Sequence, residues 1–394
     1  MMQYPEKNIA IIGIGQSEVK RPSLKSALAL TVDACMQAIG DAGLSRDDID
    51  GLVSYPGIPD DGSGFSAVNA VDIRMALGLA NGWYAAPGMD SPSQLSAIFE
   101  AILALSSGLA RHVLVFRTTA EATARSENRE ALNWTGGRER ARGMWAWTAP
   151  FGAPSPAPWY GLIAQRWLNA HDLSEDALGW VAVHGRRMAA LNPNAIYRSP
   201  ITIDDYMASR YIATPLRLYD CDVPVDGATA FVLSRIEDRP DRTRPLIRFE
   251  AIGTAMARGG LRRPEDWTSF GAEIPAAAMW ARTDLLPRDI SCGQIYDGFS
   301  ILTLTWLEAL GICGPGEAGA FMEGGLNVGL DGVFPMNTWG GHLSGGRLHG
   351  FGHLYEACIQ LRGEGGARQI RKQASSAVFC SGAYGLGCGI LVRD

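Results

Sequence analysis

Three glycine-bordered stretches toward the C-terminus carry side chains able to do chemistry. "SCGQIYDGFSILTL" holds Tyr296 and Asp297 between a short apolar segment and a helix-like run. "GGHLSGGR" holds His342 and Ser344 among Gly340, Gly341, Gly345 and Gly346, with Arg347 after them. "VFCSGAYGLGCG" places Cys380 at the end of a strand-like run, followed by Gly382 and Tyr384. Turns of this kind let the backbone come close to a ligand. A histidine and a cysteine can form a general base and an activated thiol. A tyrosine, with an ordinary pKa of about 10, serves as acid or base once neighbours shift it. Each residue also suits a structural role: Tyr296 hydrogen-bonded to backbone, Asp297 capping the run behind it, His342 as a loop residue, Cys380 as inert packing. His349 and His353 fall in the following helix and read as structural.

The elements around these turns have clear signatures. "NIAIIGIG" (8–15) is a buried strand running into a loop, and "SLKSALALTVDACMQAIGDAGL" is a helix with Ser23 as its cap and Gly40 and Gly43 at its end. "IDGLVSYPG" reads as a strand, "SPSQLSAIFEAILALSSG" as a helix with Leu95, Ile98, Ile102 and Leu105 on one face, and "HVLVFRT" as a strand. Residues 120–215 change character, being rich in Trp, Arg and Pro, and carry too many aromatics to stay solvated. That makes them an insertion rather than a linker, containing the helix "LIAQRWLNAH" and the capped helix "SEDALGWVAVHGRRMAAL". "DGATAFVLS" returns to a strand. "PLIRFEAIGTA" then opens a second half much as the first began, and that half closes with a helix (Phe351, Leu354, Tyr355, Cys358, Leu361) and the strand "SAVFCSG". The matching order of elements suggests two related α/β halves.

Bulk properties narrow the function. The chain has 394 residues, a net charge of −6 and a pI near 5.6, with no basic footprint for nucleic acid. Seven scattered cysteines lack zinc spacing and read as reduced thiols. "GIGQSE" lacks the third glycine of a dinucleotide fingerprint, and there is no P-loop, zincin motif or G-x-S-x-G elbow. No signal-like segment and no apolar run of roughly 18 residues is present. A soluble, cytoplasmic chain is expected, with no membrane span.

The three turns, in this order and near these distances from the C-terminus, resemble the thiolase superfamily. "YDGFS" (296–300) stands for the Asn-Glu-Ala-Phe turn of thiolases, "GGHLSGG" (340–346) for their Gly-His-Pro-x-Gly turn, and "CSGAYGLG" (380–387) for their Cys-x-Gly-x-Gly turn. "CDVPVDGATAFVLS" (221–234) looks like the segment that closes their first half. The resemblance covers essentially the whole chain. It implies an α/β, thiolase-like layered fold, an αβαβα sandwich of two βαβαβαββ halves (1–240 and 241–394), assembled as a homodimer or larger. The implied ligand is an acyl-CoA thioester, with no metal and no cofactor bound in this chain. Ser91, Gly341, Ser344, Gly382 and Tyr384 would line its site, shaped in part by the 120–215 insertion.

One departure bears on mechanism. A thiolase places its acyl-accepting cysteine at the start of the helix that here reads "DSPSQLSAIFEA", and the matching position holds Ser91. A serine hydroxyl is a far poorer nucleophile than a thiol near neutral pH. With no base evident beside it, Ser91 reads as a helix N-cap. "YDGFS" and "HLSGG" look most like the sterol-carrier-protein-x branch, including thiolase-like aldolases of steroid side-chain degradation. Those enzymes lack the cysteine, cleave a β-hydroxyacyl-CoA by a retro-aldol reaction, and work with a small partner carrying an OB fold and a zinc ribbon. Their catalytic tyrosine matches Tyr296; their second tyrosine falls at Arg347 here, a departure that leaves the acid and base assignment open. The resemblance thus points to Tyr296 taking the β-hydroxyl proton, His342 donating to the thioester oxygen and Cys380 reprotonating the enolate. Arg347 would tune Tyr296 or stabilise the enolate; its structural alternative is a surface arginine at a helix N-terminus. Two other readings stand beside this: a thiolase or acyltransferase using Ser91 or Cys380, and a non-catalytic acyl-CoA-binding subunit.

Overall fold

In the computed structural model the described residues are 4–58, 62–80, 82–88, 91, 93–127, 145–240, 244–256, 271–382 and 385–394. The first strand, β1 (Ile9–Gln16), shows what its glycines do. A Cβ on Gly13 would lie 2.1 Å from the carbonyl oxygen of Ala38, and one on Gly15 2.1 Å from that of Ala34. Both carbonyls belong to helix α1 (Ala27–Ala42), so the G-x-G spacing serves close helix-on-strand packing. The second half repeats the device. On β6 (Ile247–Met256) a Cβ at Gly253 would lie 2.0 Å from the carbonyl oxygen of Pro275 in helix α6 (Glu273–Trp280).

The other sheet strands are β2 (Gly51–Tyr55), β3 (Trp83–Ala85), β4 (His112–Ala120), β5 (Asp226–Arg235), β7 (Cys292–Gln294), β8 (Ser376–Ser381) and β9 (Gly385–Arg393). Their order is β3-β2-β4-β5-β1-β6-β9-β8-β7. From the centre outward each half runs first strand, last strand, last but one, then an inner strand. β2–β4 and β7–β8 are parallel, β4–β5 and β8–β9 antiparallel. The halves meet at β1 and β6 through one pairing, Ala10 with Arg248.

Alternating burial on the strands assigns the layers. Leu114 and Phe116 of β4 face α1 and α2 (Ala70–Leu77) on one outer surface. Val113 and Val115 face inward, toward α3 (Ser96–Ser106) and α8 (Gly350–Arg362), which together fill the space between the half-sheets. On β8, Ala377 and Phe379 point to this middle layer, and Val378 and Cys380 to the other outer surface. That surface is covered by α6, α7 (Ser300–Ala309), and two helices of the 120–215 segment, α4 (Pro156–Ala170) and α5 (Asp176–Ala190). Helix–sheet–helix–sheet–helix is the expected thiolase-like sandwich. Tyr160, Trp167 and Leu168 of α4 are buried against the second half, which is where the aromatics of the segment go; residues 128–144 of it lie outside the described residues.

Some local expectations change. Helix α1 is capped by Ser26, which accepts the Ala29 N–H, and not by Ser23, whose backbone N–H binds Asp226 instead. Gly40 lies inside α1, and the helix stops at Gly43 in the left-handed region (φ 70°). Helix α5 has no side-chain cap. Among the described residues no helix is long and apolar enough to cross a membrane.

Candidate active site

The C-terminal ends of the parallel strands β2, β4, β7 and β8, with the loop before α3 and the turn before α8, bring the candidate residues together. In open α/β sheets, ligands gather at such strand ends. Asp297 organises the turn. Its carboxylate accepts the backbone N–H of His342 at 2.9 Å and of Leu343 at 3.4 Å, and His353 Nε2 at 3.0 Å. It does not cap the run after it, since α7 begins behind Phe299. Gly341 presses on this carboxylate: it has φ +61°, and a Cβ there would stand 1.9 Å from Asp297 Oδ2. Burial works to raise the Asp297 carboxyl, but the His353 hydrogen bond, the two imidazoles and the His342 amide together hold it below its usual range. Asp297, His342 and His353 place possible metal-ligand atoms within 4.8 Å of one another. Here the carboxylate is already the acceptor for three N–H groups.

His342 is fully buried. Its Nε2 lies 2.7 Å from the carbonyl oxygen of His349, which only accepts, so Nε2 carries the ring proton. Nδ1 has no hydrogen bond among the described residues and sits 3.8 Å from Asp297 Oδ1. Burial and the neighbouring His353 push His342 down to about 3, which leaves it neutral. The N–H that the sequence reading aimed at a thioester oxygen is therefore engaged within the protein. The ring stands edge-on to Tyr296, 5.2 Å between centroids, and packs 4.4 Å from His353 and 5.8 Å from Trp339.

Tyr296 follows β7. Its backbone N–H reaches Cys380 Sγ at 3.3 Å, and its Oη accepts from Gln94 Nε2 at 3.1 Å. Gln94 Oε1 in turn accepts the Ser381 hydroxyl, so one amide ties the loop before α3 to β8 and to the phenol. Burial first, then Asp222, hold the phenol well above its ordinary pKa, and Arg347 works the other way.

Arg347 is not a surface residue. It pairs with Glu121 at 2.5 Å and Asp222 at 2.9 Å, with its side chain 17% exposed. Burial opposes its charge, but the two carboxylates hold the guanidinium firmly protonated. Burial keeps the Asp222 carboxyl up at about 6 despite that pairing. Nearby, Arg117 inside β4 is 1% exposed, and burial brings it down to about 10. It donates to the carbonyls of Phe65 and Thr118, both at 2.6 Å, and to His349 Nδ1 at 3.1 Å.

The remaining expected residues are placed as follows. Cys380 is sealed, opposite Cys388 across the β8–β9 pair, and burial pushes its thiol well above the ordinary value. Ser91 is not the cap of α3. That helix begins behind Leu95; Ser91 donates to the Gly88 carbonyl and contacts Ser96 Oγ at 2.8 Å. Ser93 makes the local turn, with φ 69° and its hydroxyl accepting the Leu95 N–H at 3.0 Å. Ser344 is buried and its hydroxyl has no partner among the described residues. Gly382 has φ +97°, and its carbonyl accepts Trp306 Nε1 at 3.4 Å. Tyr384 lies outside the described residues. Sequence reasoning missed Gln94, Arg117, Glu121 and Asp222, and set His349 and His353 aside. The signal available for Arg117 and Glu121 was their position in and just after a buried strand.

Known proteins resemble this chain in sequence and fold. Residues 253–391 fit the family model described as thiolase C-terminal domain-like. The chain is 33% identical over 371 residues to a steroid side-chain-cleaving aldolase from Thermomonospora curvata, covering 90% of each chain. It is 31% identical over 368 residues to a 17-hydroxy-3-oxo-4-pregnene-20-carboxyl-CoA lyase from Mycobacterium tuberculosis, covering 90% of this chain and 91% of the relative. A solved structure described as the Ltp2-ChsH2(DUF35) aldolase superposes with a TM-score of 0.88 at 28% identity, covering 99% of both chains. An acetyl-CoA acetyltransferase from Syntrophomonas wolfei shares the fold, with a TM-score of 0.66 at 13% identity. With this thiolase-like sandwich and these relatives, the chain belongs to the thiolase superfamily, in the branch of thiolase-like aldolases.

Proposed function

We propose that the chain is a carbon–carbon lyase that cleaves a β-hydroxyacyl-CoA by a retro-aldol reaction. The products are a ketone or aldehyde and a shorter acyl-CoA. The observation that carries this reading is Tyr296: its phenol oxygen meets the loop before α3 through Gln94, and Ser91 in that loop has its hydroxyl tied to backbone. Relatives named for steroid side chains support a steroid or similarly bulky acyl group. The likeness to a structure named with ChsH2(DUF35) supports a DUF35 partner protein; the small OB-fold, zinc-ribbon form of that partner and a homodimeric assembly are proposed from the family resemblance.

A phenol held neutral suits a shuttle better than a standing phenolate base. As the Cα–Cβ bond breaks, its electron pair moves into the thioester enolate. Tyr296 gives its proton to Cα and is reprotonated by the β-hydroxyl, whose oxygen becomes the carbonyl. Atoms and charge balance with no further reagent. Gln94 and Arg347 favour the partial negative charge on the phenol oxygen. Asp297 holds the His342 turn as a wall for the phenol ring, and Cys380 fixes the Tyr296 backbone through its sulfur. Replacing Tyr296 with Phe is expected to abolish cleavage while acyl-CoA affinity changes by less than about threefold. A Tyr296→Phe enzyme that still cleaves would overturn this assignment. Products that form only from a β-ketoacyl-CoA plus free CoA would mean thiolysis instead.

A further inference from the structure

An enolate needs a donor at its oxygen, and preorganised donors contribute most when they need no rearrangement. His342 has spent its N–H on His349. His349 has not. Arg117 has only donors, so the 3.1 Å contact between its Nη2 and His349 Nδ1 makes Nδ1 the acceptor and leaves the ring proton on Nε2. Nε2 makes no hydrogen bond with any described residue, yet it is not among the sealed, partnerless polar atoms. It is therefore the open end of a ring that is otherwise enclosed, 4% exposed overall. The residue is held from three sides. Its carbonyl accepts from His342, its ring packs edge-on against Phe65 at 5.0 Å, and its Nδ1 is fixed by Arg117. Its backbone has φ 53° and ψ −158°, a conformation non-glycine residues rarely adopt. Strain of this kind persists where surroundings enforce it and gathers at working sites.

The placement fits. The His342 ring links the two residues, 6.3 Å from the His349 ring and 5.2 Å from the Tyr296 ring. Arg117 is a buried cation whose nearest contacts are carbonyls, an imidazole and the rings of Phe65 at 4.8 Å and Tyr55 at 5.6 Å. No carboxylate among the described residues pairs with it. Burial, Arg117 and then Arg347 keep His349 neutral.

We propose that His349, locked by Arg117 as the Nε2–H tautomer, is the neutral donor to the thioester oxygen, and that the unpaired Arg117 charge faces the enolate as it forms. This rests on the aldolase reading above. The test uses the full chain with 15N-labelled histidines, of which it has six. The ligand is a saturated acyl-CoA carrying 13C at the thioester carbon, which binds but cannot be cleaved. His349 is expected to show one Nε2–H tautomer from pH 6 to 8, its 15Nε2 resonance moving on binding, with the 13C carbonyl shifted downfield. His349→Phe should return the carbonyl to its free shift and lower kcat by about 10²–10³-fold with KM within a few-fold, the loss typical of one such donor. His349→Gln, which keeps an N–H, should recover part of both. Should His349→Phe fail to fold, the wild-type titration decides. A shifted carbonyl with an unmoved His349 resonance would overturn the proposal and leave the aldolase reading standing. No binding of any acyl-CoA would overturn both.

Discussion

Replacing Asp297 with Asn tests whether one carboxylate holds the His342 turn. Asp297 is 2% exposed and accepts three N–H groups, two of them on Oδ1, from His342 and His353, and one on Oδ2, from Leu343. Asn keeps one acceptor oxygen, so the two bonds on that side survive as neutral ones, each weaker by about 1 kcal/mol. On the other side an NH2 group meets the Leu343 N–H, donor against donor, in a place sealed from water. A buried donor without an acceptor costs about 1–3 kcal/mol. Gly341 gives no room to turn aside, because its backbone lies against Oδ2. The expected loss is about 3–5 kcal/mol in total, with turnover reduced at least about tenfold as the His342 wall moves from Tyr296. Urea unfolding followed by two probes gives the stability change as a shifted midpoint at constant slope. The reasoning fails if Asp297→Asn unfolds within about 1 kcal/mol of the parent and His342 keeps its chemical shifts. The turn would then be held by its glycines, and the carboxylate would be incidental.

Two further perturbations have defined outcomes. His184 lies far from Tyr296 in sequence and is buried, its Nε2 donating to the Met336 carbonyl at 2.9 Å; burial lowers it to about 4. A group depressed in the folded state gives stability that is full above its unfolded pKa, about 6.5, and lost as pH falls toward 4. His184→Gln keeps the donor and cannot titrate, so it should remove about 2 kcal/mol of the loss the parent suffers between pH 7 and 5; an unchanged pH dependence would refute the assignment. Gln94→Leu removes the one N–H that the described residues place on the Tyr296 oxygen. It should lower kcat about tenfold, the weight of one neutral hydrogen bond, with KM nearly unchanged, and an enzyme as fast as the parent would show that Gln94 only packs.

The elements were legible in the sequence because each announces itself locally. Leu95, Ile98, Ile102 and Leu105 mark one face of α3 at helical spacing, and all four are buried against the middle layer. Strands β1, β4, β5 and β8 are apolar runs bounded by glycine or polar residues. Caps were less secure, since Ser23 and Ser26 both precede α1 and only geometry chooses between them. The site was half legible. Tyr296, Asp297 and His342 could be named from their turns and from the family resemblance. Their partners could not, because the bonds that matter join residues 202 and 232 positions apart, Gln94 to Tyr296 and Arg117 to His349. No local pattern records such a pairing. For the same reason Arg347 could be taken for a surface arginine: its two carboxylates come from the end of β4 and from the loop before β5.

Helices α4 and α5 have a consequence for synthesis. They are made with the first half, but the apolar faces they carry, with Tyr160, Trp167, Leu178 and Val181, belong to a core completed by β8 and β9 near the end of the chain. On a ribosome adding about 5–20 residues per second, the roughly 190 residues between α5 and β8 take on the order of 10–40 s to emerge. Throughout that interval the strands that complete their core are missing. The first half can pair its own strands early, yet it leaves the ribosome with an exposed aromatic flank. Production of this protein should therefore depend on chaperone capacity and growth temperature, and either half expressed alone should aggregate.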